Sequence, residues 1–170
     1  MSIADVKYLP ETPAHDPDID HINEEAFGPG RFAKAAYKIR EGGPHERSLS
    51  FVATYEGEVV ASVRLTRTAA GEGRALLLGP LAVRPSFKNL GIGRKLVAIC
   101  VDAAKAAGHG VVVLVGDEPY YGPLGFSRIP KGQVALPRPV DLNRLLACEL
   151  KPGALARLGG MLEHVDVARV

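Results

Sequence analysis

The sequence predicts an α/β domain, and three stretches carry that prediction. Residues 75–83 (ALLLGPLAV) are nearly all apolar, the composition of a strand buried on both faces. Beyond the loop from Arg84 to Leu90 the apolar positions become helical: Ile92, Leu96, Ile99, Ala103 and Ala107 share one stripe. Gly108 then supplies the left-handed residue that stops a helix. Residues 110–115 (GVVVLV) follow as a second buried strand, so strand, helix and strand alternate.

The remaining elements follow in chain order. Residues 3–9 (IADVKYL) read as a first strand, ended by Pro10. Pro13 to Pro17 is a turn, and Asp18 caps a helix whose apolar positions are Ile19, Ile22 and Ala26. Phe27-Gly28-Pro29-Gly30 breaks it, and Arg31 to Glu41 reads as a second helix through Phe32, Ala35, Ala36 and Ile39. Phe27 and Phe32 are expected to pack on the sheet. Ser50–Tyr55 and Glu58–Thr68 form a hairpin across Glu56-Gly57, with Arg64 and Thr66 on an alternating face. Ala69 to Arg74 is a glycine-rich turn into the organising strand. Gly79-Pro80 interrupts that strand; proline cannot donate to a ladder, so a bulge is expected there. Gly116 to Pro119 turns into Tyr120, a proline-rich stretch follows from Ser127, and Leu142–Leu150 is a further strand. The tail to Val170 reads either as an extra strand or as a surface for a second copy, a possible homodimer.

Composition narrows the function. With 46% hydrophobic residues among 170, the chain can build a real core and is expected to form one domain over residues 1–170. Twenty-one basic against nineteen acidic residues give +2, too balanced for an electrostatic nucleic-acid binder, so no nucleic-acid partner is expected. No window is apolar enough to span a membrane, and the N-terminus does not open a signal peptide. Cys100 and Cys148 sit in apolar stretches, as reduced thiols of a cytoplasmic protein would. The five histidines are scattered without metal-ligand spacing, so no metal is expected.

A strand that feeds a glycine-flanked helix N-terminus can hold an anion on free backbone N–H groups. Arg94 and Lys95 occupy the first turn, where the helix dipole disfavours cations, and Lys88 lies just upstream. Such a rim suits a multiply charged phosphate ligand. A P-loop is absent, and Gly91-Ile92-Gly93-Arg94-Lys95-Leu96 lacks the third glycine of a dinucleotide fingerprint.

Lys88-Asn89-Leu90-Gly91-Ile92-Gly93 resembles the acyl-CoA pyrophosphate loop of the GNAT N-acetyltransferase superfamily, [RQ]-x-x-G-x-[GA]. Tyr120-Tyr121-Gly122-Pro123-Leu124-Gly125-Phe126 resembles its second signature, Y-x-x-x-G-F, and the resemblance is firm over Ser50 to Phe126. Lys88 departs from the family's usual Arg or Gln. The resemblance implies a mixed, mostly antiparallel, bulged sheet flanked by helices, with the pantetheine arm in a V between the two buried strands. It implies transfer of an acetyl group from acetyl-CoA, the cosubstrate, to a primary amine of a small molecule or protein, by direct attack in a ternary complex.

Acyl transfer then assigns roles. Backbone N–H groups near Leu81, Ala82 and Val83 are the expected oxyanion and pantetheine contacts. Lys88, Asn89, Leu90, Gly91, Ile92, Gly93, Arg94 and Lys95 are the expected pyrophosphate contacts. Tyr121 matches the first position of the second signature and is the expected general acid for the departing thiolate, with Tyr120 as a cofactor contact; the plain alternative is that both rings only pack. Many relatives carry a glutamate base on the central strand, where this chain has Leu76, Leu77 and Leu78. Glu24, Glu25, Glu46, Asp117 and Glu118 are the acids that remain, and none is singled out. A non-catalytic acyl-CoA sensor is the alternative reading; it would keep the loop and tolerate loss of Tyr121.

Overall fold

The computed structural model describes residues 2–168. In chain order its elements are β1 (Lys7–Pro10), α1 (Asp16–Phe27), α2 (Ala35–Arg40), β2 (Phe51–Tyr55), β3 (Glu58–Ala70), β4 (Gly73–Val83), α3 (Ile92–Ala106), β5 (Val111–Val115) and α4 (Glu118–Tyr121). After these come β6 (Ser127–Arg128), β7 (Val134–Ala135), β8 (Leu145–Glu149), β9 (Gly160–Met161), β10 (Glu163–His164) and α5 (Val165–Ala168). The main sheet runs β1-β2-β3-β4-β5-β8-β6, with β10 added to the far end of β3. Each neighbouring pair in that order is antiparallel except β4 and β5. These two are parallel because α3 crosses between them, the long connection that parallel strands need. The sheet is mixed, mostly antiparallel and flanked by helices, as anticipated.

Alternating side chains hand each face to a different helix. Leu76 and Leu78 of β4, with Val112 and Leu114 of β5, meet Ile92, Leu96, Val97 and Cys100 of α3. On the opposite face Ile19 and Ile22 of α1 pack on Val52, Val59 and Ala82, while Ile39 of α2 packs with Leu77 and Val113. Burial on α3 runs through Ile92, Gly93, Leu96, Val97, Cys100 and Ala104, so the stripe is rotated from the one expected, and Ala107 is exposed beyond the helix end.

Several boundaries shift. Residues Ile3–Asp5 form a 3₁₀ turn, and Pro10 belongs to β1, which lies at the sheet edge where a missing N–H is tolerated. Helix α1 starts at Asp16, and Asn23 is buried on its inner face while Ala26 is exposed. The second helical stretch is split: Pro29–Ala33 is 3₁₀, Lys34 is extended, and only Ala35–Arg40 is α-helical. The β2–β3 turn is the expected one, with Glu56 and Gly57 both at positive φ. The β3–β4 turn is tighter than expected, because pairing continues to Ala70 and Gly73. Phe27 and Phe32 are exposed rather than packed on the sheet. Of the C-terminal tail, β10 does extend the sheet; Met1, Arg169 and Val170 lie outside the described residues.

Gly73 marks where the tail closes on the sheet. A Cβ there would come within 2.6–2.7 Å of the Arg157 and Leu158 backbone, which has no flexible end to move. Gly73→Ala is expected to destabilise the fold by about 2 kcal/mol in urea melts, as an overpacked core does. Gly30→Ala, where a Cβ would meet nothing within 4 Å, serves as the neutral control.

Candidate functional site

The site begins where β4 breaks. Along the β3–β4 ladder Val63 pairs with Leu81 and Leu65 with Leu78, so Gly79 and Pro80 together oppose Arg64. This is the expected bulge. On its other side β4 pairs with β5 only at Leu76–Val112 and Leu77–Val113. Past Leu77 the two strands part, and a cleft of about 1400 Å³ opens between them and extends beneath α1 and α2.

Ladder geometry says which backbone groups face the opening. The Arg84 N–H donates to the Val60 carbonyl across β3 at 2.9 Å. Alternation therefore turns the amide groups of Ala82 toward β3 as well, and those of Leu81 and Val83 toward the gap. The side chains agree: Leu81 and Val83 line the cleft, whereas Ala82 is buried against α1. Of the three expected backbone contacts, Ala82 is thus turned away.

At the far end of β4, Asn89 (φ 63) and Gly91 (φ 85) take left-handed conformations, and α3 starts at Ile92. Lys88, Asn89, Gly91, Ile92, Gly93 and Arg94 line the cleft with the free N–H groups of the first helical turn. Leu90 and Lys95 do not: Leu90 is exposed outside the lining, and Lys95 directs its ammonium over the Tyr8 ring, 5.9 Å from the centroid. Leu90 lies in the loop before α3, and Lys95 lies on a face of the helix turned away from the gap.

Both tyrosines of α4 reach the cleft. The Tyr120 hydroxyl lies only 2.8 Å from where a Cβ on Gly93 would sit, so Gly93 is what admits the ring above the helix start. Arg94 lies over the same ring, 5.1 Å from its centroid. Tyr121 packs edge-to-face on Phe126 and covers Gly116, where a Cβ would come within 2.4 Å of the ring. Burial pushes its phenol up to about 12, so it stays protonated at neutral pH. Cys100 is likewise pushed to about 12 by burial and faces the core, and neither cysteine lines the cleft. Among the described residues no group of three or more His, Cys, Asp or Glu side chains could hold a metal ion, and no helix is long and apolar enough to cross a membrane.

The α1–α2 side carries charge that sequence reasoning passed over. Glu11, whose side chain is wholly buried, accepts from Arg64 Nε (3.0 Å) and Arg47 Nη1 (2.7 Å) and bonds His45 Nε2 at 3.1 Å. Arg64 Nη2 also reaches Asp16 at 2.8 Å. Burial by itself would raise the Glu11 carboxyl, but the bonds and charges of His45 and Arg64 outweigh it and hold the group below its ordinary range. Asp16 is held low chiefly by its hydrogen bond from Arg47. Arg64, His45 and Thr66 line the cleft, as do Asp20, Asn23, Glu24, Phe27, Phe32 and Arg40. Of the acids considered as bases, Glu24 and Asp117 reach the lining, whereas Glu25, Glu46 and Glu118 do not. No spacing in the sequence links residues 11, 45 and 64, since three separate elements bring them together.

Residues 17–126 match the model of the acetyltransferase (GNAT) family. The chain is 32% identical over 156 residues to the uncharacterized N-acetyltransferase YjhQ of Escherichia coli K12, covering 89% of this chain and 86% of that protein. It is 28% identical over 157 residues to the uncharacterized N-acetyltransferase YhbS of the same strain, covering 91% and 93%. The crystal structure of E. coli YhbS in complex with CoA aligns with a TM-score of 0.78 at 24% identity, over 97% of this chain and 92% of that one. A GNAT family acetyltransferase from Brucella melitensis in complex with acetyl-CoA aligns at 0.60 with 27% identity, over 72% and 82%.

Glu11→Ala leaves Arg64 without its buried partner and is expected to cost about 3 kcal/mol in chemical denaturation. The folded pKa values of Glu11 and Asp16 lie below their ordinary 4.5 and 3.8. Their contribution is therefore complete above those values and is lost as pH falls through the lower folded ones. Melting temperatures measured from pH 7 downward should drop below about pH 4.5 in the parent, and less steeply in Glu11→Gln.

Proposed function

The chain belongs to the GNAT acetyltransferase family and is an acyltransferase; on that premise we propose that it transfers an acetyl group from acetyl-CoA to a primary amine by direct attack in a ternary complex. The observation that carries this reading is the gap between β4 and β5. It is lined by the free backbone groups of Leu81 and Val83, and it runs between the cationic start of α3 and the α1–α2 side. Its volume, about 1400 Å³, exceeds the several hundred Å³ of an ordinary ligand pocket and suits two substrates held together.

In this reading the pyrophosphate rests on the N–H groups from Gly91 to Gly93, with Lys88 and Arg94 at the rim. Tyr120 forms one wall over Gly93. The pantetheine arm adds to the exposed edge of β4, as an extended peptide adds to a sheet edge. The amine nitrogen attacks the thioester carbonyl, and an N–H group at Leu81 or Val83 stabilises the oxygen as it gains charge. The C–N bond forms and the C–S bond breaks; sulfur leaves as thiolate and takes the Tyr121 proton, while the amine gives up one of its own. A phenol near 12 is a weak acid for an ordinary thiol. The same desolvated setting raises the thiol as well, and this narrows the gap between donor and acceptor. For the amine's proton the cleft offers Glu24, Asp117 and the Glu11-bonded His45. No cysteine reaches the cleft to carry an acyl group, which favours direct attack. An acyl-CoA cosubstrate fits a cytoplasmic reaction.

Tyr121→Phe is expected to lower kcat about 100-fold with CoA affinity little changed, the signature of a lost general acid. Unchanged turnover would remove the Tyr121 hydroxyl from the mechanism. Lys88→Glu, at an exposed position, is expected to weaken CoA binding by about 10-fold at low ionic strength, with the difference shrinking as salt is added. Calorimetric titration at two salt concentrations reads it directly.

A further inference from the structure

Arg40 is the last residue of α2, and its guanidinium points at the break in β4: a Cβ on Gly79 would lie 3.2 Å from Arg40 Nη1. The side chain is half-buried and lines the cleft, and it has no hydrogen-bond or ion-pair partner among the described residues. Its company is the Tyr37 ring, 5.9 Å away, and the like charge of Arg64. Burial lowers it to about 10, so it remains a cation at neutral pH. The nearby acids are already engaged: Glu11 and Asp16 neutralise Arg64 and Arg47, Glu41 meets Lys38 at 3.5 Å, and Asp117 meets Arg144 at 3.1 Å. Asp20 and Glu24 stay exposed on α1. Two buried polar atoms on the same lining lack partners among the described residues, Asn23 Oδ1 and Thr66 Oγ1.

A half-buried cation that faces the cleft and meets no anion of its own chain is free to pair with one carried by a ligand. The phosphates of CoA are not that partner in the reading above. Gly79 lies about 13 Å of extended strand upstream of Val83, with the phosphate loop farther still. The thioester end that would lie near Gly79 is neutral. We propose that Arg40 anchors a carboxylate of the acceptor, so that the amine acetylated here belongs to an amino acid or a similar amino-carboxylate. One planar guanidinium matches a singly charged carboxylate; a phosphate dianion would call for more cations. The inference rests on the acetyltransferase reading for its amine but reads the anion site independently.

The test pairs each carboxylate with its neutral analogue: glycine with glycinamide and β-alanine with propylamine, extended to the common L-amino acids and their amides, with O-phosphoethanolamine added. Thiol release from acetyl-CoA and calorimetric binding to the CoA complex are both read. Carboxylate acceptors are expected to exceed their neutral partners by about 100-fold in kcat/KM. Arg40→Met should lose that preference mainly through KM, with CoA affinity unchanged and Arg40→Lys recovering part of it. Equal use of neutral amines, preference for the phosphate compound, or loss of CoA affinity in Arg40→Met would each overturn the proposal. If no amine releases thiol while carboxylates still bind in an Arg40-dependent way, the acyl-transfer reading falls and the anion site stands. If neither transfer nor binding depends on Arg40, the anion site falls.

Discussion

A parallel strand pair needs regular amide groups on both partners, and β4 loses that regularity at Gly79-Pro80. Proline brings no N–H, and the bulge places two residues opposite one on β3. Pairing to β5 stops at Leu77, yet β4 continues to Val83 along β3. The sheet therefore stays closed on one side of β4 and opens on the other. Everything functional hangs on that asymmetry: an extended edge in the middle of a sheet, amide groups free at Leu81 and Val83, and a cleft that begins in the fold's interior. Open edges invite unwanted pairing. Here the edge is enclosed by α3, α4 and the α1–α2 segment, which leaves room for an extended ligand and not for another sheet.

The two ends of the cleft hold charge in different ways. At the start of α3 the charge is built from the backbone, with exposed Lys88 and Arg94 added at the rim, where water screens them. At the α1–α2 end the charge sits on buried side chains. Glu11 binds Arg47, Arg64 and His45 at once, and with Asp16 it ties β1, α1, the segment before β2 and β3 into one network. That network neutralises Arg64 and leaves Arg40 uncompensated.

The aromatic residues divide along the same lines. Tyr120 and Tyr121 are fixed by glycines, Gly93 and Gly116, whose missing side chains make space for the rings. Phe27 and Phe32 were expected in the core and are exposed at the mouth, with Lys34 over Phe27 and Arg31 over Phe32 at 5.5 and 4.2 Å. Apolar periodicity assigned Phe32 to a buried face because it presumed one continuous helix from Arg31 to Glu41, whereas Phe27 is the last residue of α1 and faces outward. The break at Lys34 separates the 3₁₀ turn from α2 and turns Phe32 outward.

Much of this protein is legible in local sequence. An unbroken apolar run and a strict period mark β4, α3 and β5. A misplaced proline marks the bulge, and glycines beside cations mark the start of α3; each of these signals acts between neighbours in the chain, where propensity and sterics decide. The start of α1 escaped because Pro17, read as a turn residue, sits in the first helical turn, where proline is tolerated. The face α3 buries is settled by its packing on the sheet, which periodicity does not measure. The Glu11 network and the unpaired Arg40 were invisible for a deeper reason. Desolvation and ion pairing depend on distance in space, and residues 11, 40, 45, 64 and 79 approach one another only after the sheet has brought four separate segments together. The sequence alone determined that a strand would break beside a helix whose first turn carries glycines and cations. Tertiary structure decided which amides face the opening and which charge is left without a partner.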